Sequence, residues 1–481
     1  MGDLTIWWRG KRLALRQQWC QEGHRNAAGI WRLRGIIVAL LTLVATAAYG
    51  QEPSQRLTLT PSLSLGERYD DNLFETRTNK QHDFITVLSP GIRAQYLPTA
   101  PALGTQLDFD YRAAFEFFAD HSSENNIAHR LSLTLASPLT PSLQVRVREL
   151  LQVSEDPAGR DERLGVPLGL RPVSQQQRTR TLRNEAEGRA DLRLGGRLSL
   201  GVLFASLIED VDIPEELDEF RYTVGTELGY ALYAMRESRV FVSYQVTFES
   251  FRDNGIVPPE NADASFQVHA ISTGVRHELT PTLAVNAALG YSFTSSDAPQ
   301  KDGQTAVIAN VGFTKTFSRG QASLGYVRRL TSGQGEGGVG LEDTVSAMAS
   351  INLTGKLKAD LNGNVSWFDA RSVTISSRDV SQRFWSIRPS LTYQILRPWS
   401  ASVAYAYEYT DYVDNTLANL SDHRLLLGTS FDLREWLVLG LSYEYRARGL
   451  HGGNVLVGTV DEFSRNLVML TLTARPAVRV F

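Results

Sequence analysis

From Leu437 to Arg446 the chain changes character at every step. Leu437, Leu439, Leu441, Tyr443 and Tyr445 are apolar or aromatic, whereas Val438, Gly440, Ser442, Glu444 and Arg446 become polar and then charged. A period of two belongs to a β-strand, whose successive side chains leave opposite faces. One such strand fits any half-buried sheet. Here the pattern returns to the end of the chain, with short Pro/Gly turns alternating with longer polar connections. That repetition predicts an all-β fold, a transmembrane antiparallel up-and-down β-barrel of about 20 strands.

Lipid makes closure compulsory. A backbone N–H or C=O left unpaired in hydrocarbon costs several kcal/mol, so a spanning sheet must join its own edges. The outward row then has to tolerate lipid, as do Val240, Val242, Tyr244, Val246 and Phe248, and Val403, Tyr405, Tyr407 and Tyr409. The opposite row is ionic. Arg183, Glu185, Glu187, Arg189, Asp191 and Arg193 alternate strictly along one strand. An arginine facing lipid near the midplane costs about 2–4 kcal/mol, so this row is expected to line a watery lumen. Asp108, Asp110, Arg112 and Glu116, with Arg146, Arg148, Glu444 and Arg446, occupy the same register in their strands. Two readings of these charges stay open: a selective pore lining, or mutual pairing that fills and stiffens the lumen.

Composition narrows the field. The 481 residues carry a net charge of −3 and 21% charged side chains, which gives no basic footprint for nucleic acid. The mean hydropathy of −0.20 is too polar for a helical membrane protein. The single cysteine, Cys20, lies upstream of a leader-like segment. There Arg32 and Arg34 precede the apolar run 35–48, and Ala48-Tyr49-Gly50 supplies small residues at −3 and −1. This is the pattern of a secretory signal peptide cleaved after Gly50, which leaves a barrel over 51–481 without disulfides or thiol metal sites. Residues 1–30 are unusual for the start of a leader and fit a translation start set too far upstream.

The expected strands run from Leu57–Tyr69 to Phe463–Ala474. Tight turns are predicted at Leu139–Ser142, Leu279–Thr282 and Leu396–Trp399, where proline fixes a dihedral. Long connections are predicted at Glu209–Glu219, Arg252–Asp263 and Ser332–Glu342. Ser154–Gln177 could fold inward as a constriction or stand as an outer loop. Tyr69, Tyr96, Tyr230, Trp367, Trp385, Trp399 and Trp436 fall near predicted strand ends, as aromatic girdles require. Phe481 resembles the terminal aromatic of outer-membrane proteins, although Pro476 breaks the last strand, since it cannot donate to a ladder.

Two stretches carry a family likeness: Glu67-Arg68-Tyr69-Asp70-Asp71-Asn72, and Asp83-Phe84-Ile85-Thr86-Val87-Leu88-Ser89-Pro90-Gly91-Ile92. Together they resemble the opening of the β-barrel porin 2 group, which includes outer-membrane barrels associated with PEP-CTERM/exosortase exopolysaccharide systems. The likeness is sharpest over residues 57–97. It implies a bacterial outer-membrane address, with outer-membrane lipid and the barrel assembly machinery as partners, and polysaccharide or export-system proteins beyond them.

Asp70-Asp71-Asn72 and Glu209-Asp210-Val211-Asp212 carry oxygens a calcium ion could use. Neither matches an EF-hand, and Asp and Asn are common turn formers. No cofactor is expected. His82, His121, His129, His269, His277, His423 and His451 sit in no recognisable hydrolase motif, so no enzyme is expected either. The leading expectation is a porin-like channel for small solutes or a component of exopolysaccharide export. The alternative is a non-conducting assembly barrel that binds a partner or polysaccharide through its outer loops.

Overall fold

The computed structural model describes residues 56–98, 104–155, 180–211, 218–232, 238–252, 263–296, 304–333, 338–371, 380–413, 419–452 and 462–479. The leader segment, Asp212, Phe481 and all of Ser154–Gln177 beyond Glu155 lie outside them. The strands are β1 (Arg56–Asp70), β2 (Asp83–Leu97), β3 (Gln106–Phe118), β4 (Asn126–Pro138), β5 (Leu143–Ser154), β6 (Thr181–Arg193) and β7 (Leu198–Val211). They continue as β8 (Asp218–Ala231), β9 (Arg239–Arg252), β10 (Asp263–Thr280), β11 (Leu283–Ser296), β12 (Thr305–Phe317), β13 (Gly320–Gly333) and β14 (Gly338–Asn352). The last are β15 (Leu357–Arg371), β16 (Val380–Leu396), β17 (Trp399–Tyr412), β18 (Asn419–Arg434), β19 (Leu437–His451), β20 (Phe463–Ala474) and the short β21 (Val478–Arg479).

Each strand pairs antiparallel with its sequence neighbours, and β20 returns to β1, with Leu63 opposite Ala474 and Asp70 opposite Leu467. The sheet therefore closes into a 20-stranded barrel and leaves no bare edge. Pro476 does interrupt the ladder. Beyond it β21 resumes the pairing, with Val478 opposite Leu59 and Arg479 opposite Thr58.

Two kinds of connection alternate. Pro281-Thr282, Arg397-Pro398 and Glu435-Trp436 are two-residue turns, each beside a shift in register. These mark the turn end of the barrel. The opposite, loop end carries the connections 71–82, 155–180, 253–262 and 452–462. The strands reach further toward this end than their sequence pattern predicts. Glu209 and Glu219 belong to β7 and β8, and the connection expected over Ser332–Glu342 shrinks to 334–337. β10 has 18 residues, whereas about 9–11 suffice to cross a bilayer. Its loop-side end is free of the apolar-out rule, which is why alternation fades there.

Register fixes which row faces where. Residues opposite one another across a strand pair share a face. Side chains of strands two apart can meet only on the concave face, and Glu227 of β8 reaches both Arg189 of β6 and Arg276 of β10. That face is the lumen. The other row is mainly apolar: Val202, Phe204, Leu228, Val242, Leu289 and Leu441 point outward and are exposed, while Glu149 and the pair Arg328–Asp343 interrupt it toward the loop end. Along β17 the outward row runs from Trp399 to Tyr409, about 33 Å at about 3.3 Å per residue, or about 25 Å of height after a tilt of about 40°. Trp385 stacks on Tyr409 at 4.6 Å near the loop end, and Trp399 and Trp436 stand exposed at the turn end. The aromatic residues thus bound an apolar belt of membrane height.

Candidate functional site: the lumen

All fourteen charged residues read from the sequence as lumen-lining lie on the inner row. Arg93 opposes Asp110 and Gly91 opposes Arg112, while Arg148 opposes Glu187 and Arg183 opposes Glu209. Glu116 faces Val87, Arg146 faces Arg189, Glu444 faces Leu426, and Arg446 faces Arg424. The structure does not gather them into one cluster. Some fall in three parts of the wall, and the others pair locally with neighbours.

The first part is a latch at the loop end. Residues 72–76 of the connection 71–82 turn over the inner face of β2, β3, β19 and β20, while Arg77–Lys80 stay exposed. Leu73 is fully buried against Ile85, Val87 and Phe118. Asn72 donates from Nδ2 to the carbonyls of Thr76 (2.8 Å) and Ser464 (3.0 Å), and its Oδ1 accepts the Thr76 N–H at 3.0 Å. Glu75 has φ 53°, a left-handed backbone that a non-glycine residue adopts only when held there. What holds it is charge. Arg446 Nη1 donates to its Oε1 at 2.9 Å and Arg465 Nη1 at 3.1 Å.

Arg465 also binds both oxygens of Asp70 through Nε, at 3.0 Å each. Asp422 completes the group by accepting from Arg446 (3.0 Å) and Arg448 (2.9 Å), and both guanidinium groups lie over the Phe463 ring. Three arginines thus meet three carboxylates with little exposure. Buried charges are tolerable only when paired in this way. The acidic turn at 70–72 is therefore spent on structure: Asp70 on Arg465, and Asp71 on Asn466 at 2.6 and 2.7 Å. Asp83 has a similar task, since its carboxylate accepts the backbone N–H groups of Ala119, Asp120 and His121 and closes the next turn.

The second part, below the loops on β6–β9, is acidic and buried. Arg221 binds Glu219 at 2.7 Å and Glu249 at 3.0 Å, and Arg183 binds Glu185 and reaches Glu209 at 3.9 Å. Glu209, Glu219 and Glu249 are each under 5% exposed, at 4, 1 and 4%.

The third part is the turn-side wall. Glu227 accepts from Arg189 (3.2 Å), Arg239 (2.7 Å) and Arg276 (2.8 Å), and Arg276 also lies 4.5 Å from the centroid of Phe241. Arg189 Nε donates to Asp191 at 2.9 Å. Arg146, Arg148 and Arg193 stand exposed on the same wall and have no ion pair among the described residues. A cavity of about 480 Å³ opens above it, lined by Gln245, Ser272, Asn286 and Asn310. The remaining predicted residues pair locally: Arg93 with Asp108 at 2.6 Å, Arg112 with Asp110 at 3.0 Å, Arg68 with Glu116 at 3.1 Å, and Arg424 with Glu444 at 2.8 Å.

Sequence reasoning missed Glu75, Asp422, Arg448 and Arg465 of the latch, and Glu227, Arg239 and Arg276 of the turn-side wall. Each sits in the inner register of its strand except Glu75. The row around Glu227 is Thr223, Gly225 and Gly229, too bland to stand out.

No family model matches the sequence, and no curated protein does. The likeness of the opening hairpin to the β-barrel porin 2 group therefore stands on those residues alone. Among solved structures, the chain is similar to the siderophore receptor PirA from Pseudomonas aeruginosa, at 11% identity and a TM-score of 0.45, over 88% of this chain and 81% of that one. It is also similar to the ferric-catecholate import receptor Fiu from Escherichia coli, at 9% identity and a TM-score of 0.47, over 87% and 81%. A third is OccAB3 from Acinetobacter baumannii, at 11% identity and a TM-score of 0.38, over 89% and 100%. The barrel rests on the strand register rather than on these likenesses.

Proposed function

We propose that this chain is a bacterial outer-membrane β-barrel that passes small solutes through its lumen by diffusion. One observation carries the reading. The closed sheet turns an apolar row outward between two aromatic belts and a charged, partly unpaired row inward. An apolar band about 25 Å tall with flanking aromatic residues suits a bilayer. A 20-stranded barrel lies between the 16–18-stranded porins, which hold an aqueous channel, and the 22-stranded transporters, whose lumen is plugged. Among the described residues the inward segment is the 71–82 latch, which lies along the wall.

The partners implied are outer-membrane lipid and the assembly machinery that inserts such barrels, and no catalytic step is part of the reading. Service to an exopolysaccharide export system rests on the resemblance of residues 67–72 and 83–92. A second reading, a non-conducting barrel that holds a partner at its loop end, draws support from the latch, which stiffens that end with buried charge. Planar-bilayer recording of the purified protein separates the two. Stable open steps are expected; a folded barrel that never conducts would defeat the channel.

A further inference from the structure

The inner wall of β5, β6 and β8–β10 is electrically lopsided. Toward the turn end it carries Arg146, Arg148, Arg189, Arg193, Arg239 and Arg276. Against these stand Glu187, Asp191, Glu227 and Glu278, so six positive charges meet four negative ones, an excess of two. Elsewhere toward the turn end, described inner-row pairs match one to one: Arg93 with Asp108, Arg112 with Asp110, and Lys358 with Asp360. The loop-side carboxylates Glu209, Glu219 and Glu249 have the opposite sign, but they are buried and bound to Arg183 and Arg221. What a solute meets is decided by exposure, and the exposed, unpaired groups are mainly cationic.

Resting on the channel reading, we infer that this turn-side wall binds and passes small anions bearing a carboxylate or phosphate. Arg146 and Arg148 project into the lumen from one strand, two residues apart, with no ion-pair partner among the described residues to displace. Arg189, Arg239 and Arg276 converge on Glu227, and Arg189 alone has a second carboxylate in Asp191, so their donors outnumber what these acceptors can take. Guanidinium groups suit both ligands because their paired N–H donors match two oxygens at once. Low-dielectric walls of one sign also concentrate counter-ions in the space between them. The amides of Gln245, Asn286 and Asn310 beside the arginines would receive the uncharged remainder of the solute, and the Asn286 Oδ1 is buried without a hydrogen-bond partner.

The experiment is the reversal potential of the reconstituted full barrel across a KCl gradient, with acetate and then inorganic phosphate replacing chloride. Anion permeability is expected to exceed that of potassium at least about twofold, by the usual action of lumen charge. Arg146→Gln with Arg148→Gln should lower the ratio toward unity, and Glu227→Gln should raise it. Whether acetate or phosphate carries the larger current separates a carboxylate preference from a phosphate one. Cation preference, or a ratio that the double variant leaves unchanged, would overturn the inference and spare the channel. Absence of conductance from a barrel with normal heat-modifiable migration would overturn both.

Discussion

The loop-side latch and the turn-side wall use the same chemistry to different ends. In the latch, Arg446, Arg448 and Arg465 face Asp70, Glu75 and Asp422, and the group lies almost wholly buried. On the wall, Arg146, Arg148 and Arg193 stand exposed and unmatched among the described residues. Balanced charges that have lost their water hold a chain segment in place, since each would be costly alone. Unbalanced charges that keep their water contribute little to stability and remain open to a solute. An arginine in this barrel is thus assigned by its partner and its burial, and residue type alone does not decide.

The contrast can be broken by substitution, and the largest effect is expected in the latch. Arg465→Ala strands Asp70, leaves Glu75 with Arg446 alone, and should cost about 3–5 kcal/mol, read as a fall in the denaturant midpoint of the folded barrel. The 71–82 segment should also become sensitive to protease. If stability were unchanged, the latch would be a surface ion pair of no consequence.

The next effect concerns the two faces of the sheet. Phe204→Arg puts a guanidinium on the outward row in mid-strand and should cost about 2–4 kcal/mol when folding into vesicles is measured. Ala205→Arg, one residue along and opposite Glu187 on the inner row, should stay within about 0.5 kcal/mol. Equal effects would mean the two rows do not face different media.

Leu73→Ala should cost about 2 kcal/mol, at the low end for a buried leucine because a loop can settle into the space. Arg148→Gln should move stability by no more than about 0.5 kcal/mol while altering ion selectivity. A large loss of stability there would put the wall in the same class as the latch.

Much of this architecture is legible in the sequence, for a reason particular to barrels. Between the aromatic belts the outward row has no freedom, so Leu437, Leu439 and Leu441 announce themselves. Past Arg446 the constraint lifts: β19 runs on through Ala447, Arg448 and Gly449 to His451 with no apolar row to mark it. The inner register was readable because Arg183–Arg193 could not face lipid. The latch was not. Its hydrophobic anchor, Leu73, lies in a polar stretch that reads as a loop, and Glu75 finds Arg446 and Arg465 only because β20 closes on β1 from the far end of the chain. The clamp on Glu227 was hidden likewise, since β6, β8, β9 and β10 bring its arginines together through pairing that no local pattern encodes.

The central claim is a closed sheet with one face in lipid and the other in water. A single-cysteine scan across Leu437–Arg446, in a Cys20→Ser background reconstituted in vesicles, tests it most directly. Labelling by a membrane-impermeant maleimide should alternate, with positions 440, 442 and 444 reacting and 439, 441 and 443 protected. Uniform labelling along the strand, or protection of the charged row instead, would contradict the account.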